Sequence, residues 1–362
     1  MKIKDVIIDM HQGINTVADK VEYLDSGIPI IQSKNFTKGY LDLEDVRYLG
    51  KKDEKKYIEK YNPQVGDILI ANIGTIGKSY VVSEKRRFLI AWNVFLIKPN
   101  AEKIKTEFLK FYFDYLMSIN YFDTLLTGGT VKFINKKKIG NIIVPDRTIV
   151  EQKEICERLS KVEKILIEKQ EQLKLLDNLI QSRFVEMFGD PIRNTQNRPT
   201  TKLINVVKMQ RGFDLPVQDR NQDGNIPVYG ANGVLDSHNT ARIHGGGVIT
   251  GRSGTIGKVF YTEGDYWPLN TSLFSVDKHG NNVIYLAYLL QMFDLTRFVE
   301  GTGVPTLNRN MFHNRQIIDV PINEQNKFAA FVQQINKSKF EVQKSLEKTQ
   351  LLFDSLMQEY FG

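Results

Sequence analysis

Two long segments of the chain carry apolar residues in alternating steps of four and three. In the first, Ile155, Leu159, Val162, Leu166, Leu173, Leu176, Ile180 and Met187 keep that spacing, interrupted at Lys169 and Arg183. In the second, Phe328, Val332, Ile335, Val342, Leu346, Phe353, Leu356 and Tyr360 keep it, interrupted at Lys339 and Thr349. A stripe of this period is the seam of a coiled coil. The first segment opens at Glu151-Gln152 and closes at Phe188-Gly189; the second opens at Glu324-Gln325 and closes at Phe361-Gly362. Neither holds Pro or Gly before its end, so each predicts one unbroken helix. About 38 residues at 1.5 Å each span ~57 Å, more than one domain offers as a flat face, which favours the two helices packing on each other. An antiparallel pair is expected, because the first helix leads into the later globular segment and the second follows it; the globular parts would then sit at opposite ends, related by an approximate two-fold.

The rest of the chain is patterned as short strands, and the pattern occurs twice. GTIGK stands at Gly74 to Lys78 and again at Gly254 to Lys258, each time between two β-rich runs, which predicts two strands joined through a glycine turn. Upstream, Ile28-Pro29-Ile30-Ile31 corresponds to Ile226-Pro227-Val228-Tyr229, and Asp5-Val6 with Gly13 corresponds to Asn205-Val206 with Gly212. Downstream, a helical run from Glu107 matches one from Val283. A glycine turn and an Asn follow each (Thr127-Gly128-Gly129-Thr130 to Asn135; Gly301-Thr302-Gly303 to Asn308), then a short strand ending at Val144-Pro145 or Val320-Pro321. The expected class is α+β: two tandem pseudo-symmetric domains, each β-rich with a small helical part, joined by two long helices in an antiparallel coiled coil. The segments read as 1–148 and 190–322 for the globular parts, the second with its linker, and 149–189 and 323–362 for the helices.

Composition narrows the partner. Of 362 residues 41% are hydrophobic, enough for ordinary cores, and 49 Lys and Arg against 42 Asp and Glu leave a net charge of +7. That balance favours a polyanion, a nucleic acid or an acidic membrane surface. The one cysteine, Cys156, forms no internal disulfide and is read as a small helix residue beside the seam, which points to a reducing compartment. No apolar run approaches the ~18 residues of a membrane span, so a cytoplasmic protein is expected.

Catalytic patterns fail on inspection. Gly77-Lys78-Ser79 resembles the end of a P-loop, but Asn72 stands where that motif needs Gly, and the second copy has Arg252 there and Val259 after Lys258. The five histidines show no metal-ligand spacing and are expected at the surface or in turns, so no metal site is expected. Asn62-Pro63 is followed by Gln64, without the Pro-aromatic pair that holds a target base in amino-methyltransferases. No catalytic residue is assigned.

The candidate contacts lie beside the glycine turns. The first copy offers Gln32, Ser33, Lys34, Asn35, Asn72, Thr75, Lys78, Thr130, Lys132 and Asn135; the second offers Tyr229, Asn232, Arg252, Ser253, Thr255, Lys258, Thr306 and Asn308. Arg or Lys pairs with guanine, Asn or Gln with adenine, and hydroxyls with phosphate. The same residue types also serve ordinary turns, and the sequence leaves both readings open. Trp92 and Trp267 are expected in the core. Between the copies the turn scaffold agrees while these side chains differ, as two modules reading different bases would show.

The ordered set of GTIGK hairpin, glycine-Asn turn, Val-Pro strand and Glu-Gln-initiated helix, given twice over essentially the whole chain, resembles the specificity subunit of type I restriction-modification systems. The resemblance implies two target-recognition domains, each reading one half of a split DNA sequence, with the helices as spacer. It also implies two methylation subunits, which bring S-adenosylmethionine for adenine methylation, and motor-nuclease subunits that use ATP and Mg to cleave unmodified DNA. This chain would then bind no cofactor and catalyse nothing by itself. A coiled-coil adaptor whose globular domains bind proteins, and an enzyme acting alone on nucleic acid, are the competing expectations.

Overall fold

A computed structural model of the chain describes residues 1–301 and 305–362, in two compact units. Unit 1 comprises Met1–Glu168 with Leu346–Gly362, and unit 2 comprises Lys169–Ser345. Thr302 and Gly303, in the second expected glycine turn, lie outside the described residues.

Unit 1 runs α1 (Ile3–Val6), β1 (Ile7–Gln12), β2 (Ile28–Ile31), β3 (Arg47–Leu49), α2 (Lys51–Tyr61), β4 (Ile68–Ala71), β5 (Ser79–Val81), β6 (Leu89–Ile90), β7 (Val94–Pro99), α3 (Thr106–Ser118) and α4 (Lys136–Gly140) before the long helix α5 (Ile149–Phe188). Its four-stranded sheet has the order β1-β7-β4-β5 and is antiparallel throughout. A smaller sheet, β3-β2-β6, pairs β2 with β6 in parallel. Strand β4 (ILIA) is buried at every position, which is why it reads as a continuous apolar run. Helix α3 buries Phe108, Leu109, Phe111, Tyr112, Phe113, Tyr115 and Leu116 in the unit's main core.

Unit 2 repeats the order of the main strands, with no counterpart of α2 among the described residues and with additional short strands. It holds β8 (Thr200–Lys202), α6 (Leu203–Val206), β9 (Lys208–Arg211), β10 (Ile226–Gly230), β11 (Gly233–His238), β12 (Gly247–Gly251), β13 (Val259–Thr262), β14 (Trp267–Pro268), β15 (Ser272–Asp277), α7 (Val283–Phe293), β16 (Val299–Glu300), β17 (Thr306–Leu307), α8 (Arg309–His313), β18 (Gln316–Ile318) and α9 (Ile322–Phe361). The sheets β9-β15-β12-β13 and β11-β10-β14 match those of unit 1 strand for strand, including the parallel pair β10 with β14. The matched glycines have matched reasons. A Cβ on Gly13 would lie 2.3 Å from the Ile90 carbonyl oxygen, and one on Gly212 would lie 2.2 Å from that of Leu269. In the GTIGK turns, Gly77 (φ +86°) and Gly257 (φ +94°) adopt the left-handed conformation and back closely onto Phe122 and Thr296.

Three expectations need correction. The strand expected before Pro145 is only a bridge from Ile143 to Lys2, whereas its counterpart β18 pairs with β8 over three residues. Trp92 is 38% exposed, because the turn between β6 and β7 carries it outward, while Trp267 on β14 is half-buried. His313 is buried, with its Nε2 accepting the Met209 backbone N–H at 3.0 Å.

Both long helices are unbroken over 40 residues. In unit 1, Ile155 and Leu159 of α5 share a core with Met357, Tyr360 and Phe361 of α9, and Arg158 donates to the Tyr360 hydroxyl at 3.3 Å. In unit 2, Asp177 pairs with Lys339, and eleven residues further along α5 Phe188 meets Phe328, eleven residues earlier in α9, at 5.6 Å between ring centroids. The partners run in opposite directions, so the helices form the antiparallel coiled coil that the spacing predicts. Every seam position is buried or half-buried, while Ile167, Leu175 and Leu351, off the stripe, are exposed.

The Glu-Gln pairs dock the helix starts. Glu151 closes a capping box with Thr148, accepting its N–H and hydroxyl at 2.7 Å each. Gln152, fully buried, accepts the Lys105 N–H at 2.8 Å and donates to the carbonyls of Arg147 and Lys103. Gln325 does the same in unit 2, accepting from the Asn282 N–H at 2.9 Å and donating to the Val320 carbonyl and Asn281 Oδ1. The helix ends dock as well: Phe361 packs on Phe108 of unit 1 at 5.1 Å, and Phe188 packs on Tyr285 of unit 2 at 5.2 Å. Each core thus takes the start of one long helix and the end of the other.

Candidate nucleic-acid interface

In unit 2 the backbone gathers residues that are distant in sequence. Strand β12 runs into the GTIGK turn at Arg252, whose N–H donates to the Thr271 carbonyl at 2.9 Å and whose carbonyl accepts from the Leu307 N–H at 2.8 Å. That places β17 and the start of α8 beside the turn. Asn308 caps α8 by accepting the Asn310 N–H at 3.0 Å, and its amide donates to Glu300 at 2.7 Å. Strand β9 brings Arg211 to the same place through its pairing with Leu273. The result is a cleft of about 310 Å³ lined by Arg211, Arg252 and Arg309, with Glu300, Thr306, Asn308 and Asn310 among its walls.

The three arginines are held differently. Arg211 lies 4.0 Å from Asp214 and donates through Nε to the Asn270 carbonyl at 3.4 Å. Arg252 and Arg309 are half-buried residues whose guanidinium groups have no carboxylate within 4 Å among the described residues. The local charge is therefore positive, which favours an anionic or acceptor-rich ligand. Arg309 also acts inward: together with Lys208 it adds to burial in holding the His313 imidazole below its usual pKa.

Unit 1 makes the same backbone connections with other side chains. The Asn72 N–H donates to the Asn93 carbonyl at 3.3 Å, and its carbonyl accepts from the Ile134 N–H at 3.0 Å, as Arg252 does with Thr271 and Leu307. Gln12, the counterpart of Arg211, donates to the Trp92 carbonyl, as Arg211 does to that of Asn270. Asn135 caps α4 by accepting the Lys138 N–H, and Lys136 stands where Arg309 does. The side chain of Asn72 is buried, and its Oδ1 has no hydrogen-bond partner among the described residues. Thr130 and Lys132 are exposed in a loop closed by reciprocal 2.9 Å bonds between Thr127 and Phe133.

The remaining candidates are spread more widely. Asn35 is buried and shapes its own turn, donating to the carbonyls of Asp42 and Asp45. Ser33 is buried and accepts from Asn93; Lys34 pairs with Asp45; Gln32 is half-buried. Tyr229 is buried in the unit 2 core, and Lys258 donates to Asn232 at 2.8 Å. Thr75 is exposed at the GTIGK turn, Ser253 and Thr255 are half-buried in its counterpart, and Lys78 lines a different groove, against α3 and α5.

The structure therefore brings together Arg252, Thr306 and Asn308, and adds Arg211, Arg309, Asn310 and Glu300, which the sequence reading missed. Two of these had a signal: Arg211 and Gln12 immediately precede the matched glycines Gly212 and Gly13, and Arg309 and Lys136 immediately follow the matched asparagines.

Residues 1–176 and 199–351 match the family model described as the type I restriction modification DNA specificity domain. A putative type I restriction enzyme specificity subunit, MjaX, from Methanocaldococcus jannaschii is 23% identical over 192 residues, 52% of this chain and 44% of that protein. The type I restriction enzyme EcoBI specificity subunit from Escherichia coli is 29% identical over 170 residues, 45% of this chain and 35% of its own length. The match thus spans less than half the length of these curated relatives. Among solved structures, the type I restriction-modification S subunit from M. genitalium aligns over all of this chain and 95% of its own, with a TM-score of 0.61 at 14% identity. A chain from a structure describing complex assembly and conformational transition of a type I system aligns over all of this chain and 96% of its own, at 0.59 and 15%. The fold is shared with these, and with both copies of the specificity domain matched in tandem, the chain belongs to the type I restriction modification DNA specificity family.

Proposed function

We propose that this chain reads a bipartite DNA sequence, one half through each unit, for a type I restriction-modification assembly. The observation that carries the reading is the pair of matched loop clusters: one backbone scaffold, built twice, places Gln12, Asn72 and Lys136 in unit 1 where unit 2 has Arg211, Arg252 and Arg309. Modules that read different bases would carry different side chains on one scaffold in this way. In this reading the paired long helices space the two readers, and the globular parts at 1–148 and 190–322 are the target-recognition domains. The helices also present surfaces to two methylation subunits, through which motor-nuclease subunits join. S-adenosylmethionine, ATP and Mg belong to those partners, and the chain itself supplies recognition without catalysis.

The test is to express the chain with its methylation subunits and locate methylated adenines by sequencing, with a strain lacking the chain as reference. A motif of two short blocks separated by an unread gap is expected. A single continuous motif, or methylation that does not depend on the chain, contradicts the proposal. Affinity of the complex for its duplex should also fall steeply with salt, since phosphate contacts release counterions.

A further inference from the structure

The two loop clusters differ in a way that bears on which bases are read. We infer that the arginine cleft of unit 2 reads a G·C pair, and that unit 1 makes no equivalent contact at the matched position; this rests on the recognition function proposed above.

Three features point to a base pair and away from a bare phosphate. First, Arg252 and Arg309 line one cleft with no carboxylate partner within 4 Å among the described residues, so both forks are available. A guanidinium fork matches guanine O6 and N7, and this bidentate pairing is the commonest specific contact in the major groove. Second, Glu300 lines the same cleft without neutralising either arginine. A carboxylate repels a phosphate but accepts from cytosine N4, the other partner of the same base pair. Third, the Asn308 amide donates to Glu300 at 2.7 Å and so orients the carboxylate, while the Asn308 side-chain oxygen is already committed to capping α8. Donors and an acceptor thus line one cleft, the pair of functions that a C·G edge requires.

At the matched positions unit 1 has Asn72 for Arg252 and Lys136 for Arg309. Asn72 is buried to 1% exposure and cannot extend as an arginine does, and Lys136 can meet guanine only as a point charge, so unit 1 lacks the two planar forks of unit 2. Loss of Arg252 or Arg309 should therefore change the letters of one half-site and leave the other alone.

The experiment measures binding of the chain, complexed with its methylation subunits, to duplexes carrying its mapped motif, at two salt concentrations. The duplexes replace each base pair of each block in turn, and the chains compared are wild type, Arg252→Gln, Arg309→Gln, Arg309→Lys and Glu300→Gln. For the wild type, replacing one G·C pair of one block should weaken binding about 5- to 150-fold. Arg252→Gln or Arg309→Gln should abolish that preference while the other block is discriminated as before, which also shows that the variant is folded. Arg309→Lys should fail to restore the preference, and Glu300→Gln should weaken it. A block read by the arginine variants that contains no G·C pair overturns the inference. So does a uniform loss across all sequences with a salt slope shallower by about one, the signature of a phosphate clamp. Those outcomes leave bipartite recognition standing; no sequence selectivity at all in the wild-type complex would bring down both.

Discussion

Units 1 and 2 share strand order, a parallel pair in the small sheet, a buried docking glutamine and a terminal phenylalanine, yet their loop clusters carry almost none of the same side chains. The contrast separates two kinds of constraint. Gly13 and Gly212 face carbonyl oxygens at 2.2–2.3 Å from any added Cβ, so nothing else fits. Gln152 and Gln325 each satisfy three polar partners inside the protein. Arg252 and Asn72, by contrast, share a backbone position through matched main-chain bonds while one side chain is half-buried and the other buried. A scaffold held by its backbone is free to vary what it presents.

The likeness can be tested where it is strongest. Phe188→Ala and Phe361→Ala each remove a buried ring from a core built by the far end of the other unit's helix, and each should cost about 3–5 kcal/mol. Hydrogen exchange should place the loss from Phe188→Ala in unit 2 and that from Phe361→Ala in unit 1; both losses falling in one unit would break the equivalence. Gln152→Ala and Gln325→Ala strand one half-buried backbone N–H apiece and should cost about 1–3 kcal/mol each, nearly equally, in denaturant titrations.

Two further substitutions sharpen the differences. His313 has no counterpart in unit 1, where Gly140 stands. Burial lowers its folded pKa, so the unfolded chain takes up the proton first: stability contributed by the neutral imidazole is present above about pH 6.5 and is lost as pH falls below it. Unit 2 should therefore soften on acidification, seen through half-buried Trp267, and His313→Gln should flatten that dependence; an unchanged pH profile would remove His313 from the account. The smallest effect is expected at Cys156, where unit 2 has Ala329. Its thiol is half-buried, with burial as the main cause pushing its pKa up to about 12, so it is not a reactive thiolate near neutral pH. Cys156→Ala should shift stability by less than about 1 kcal/mol, read from the melting temperature.

Much of the fold was legible because periodicity reports burial directly. The seam from Ile155 to Leu356, the GTIGK hairpins and helices α3 and α7 all follow from apolar spacing and glycine turns. That Phe188 and Phe361 complete the core of the other helix's starting unit was not legible, since a terminal Phe-Gly looks like a helix stop. The site was legible less fully. Asn35, Asn135 and Asn308 carry the side chains of contact residues, yet one shapes a turn and two cap helices; an amide that bonds the backbone has the same spelling as one that bonds a base. Arg211 and Arg309 escaped notice because sheet pairing and a helix cap, not sequence proximity, bring them to Arg252.

The most direct test replaces the reader of unit 2, Thr201 to Pro321, with that of unit 1, Lys2 to Arg147, leaving both long helices intact, and then maps adenine methylation by the assembled complex. If each unit spells its own half, the new motif should contain the unit 1 block twice and nothing of the former unit 2 block. Survival of the unit 2 block in that chimera would contradict the account.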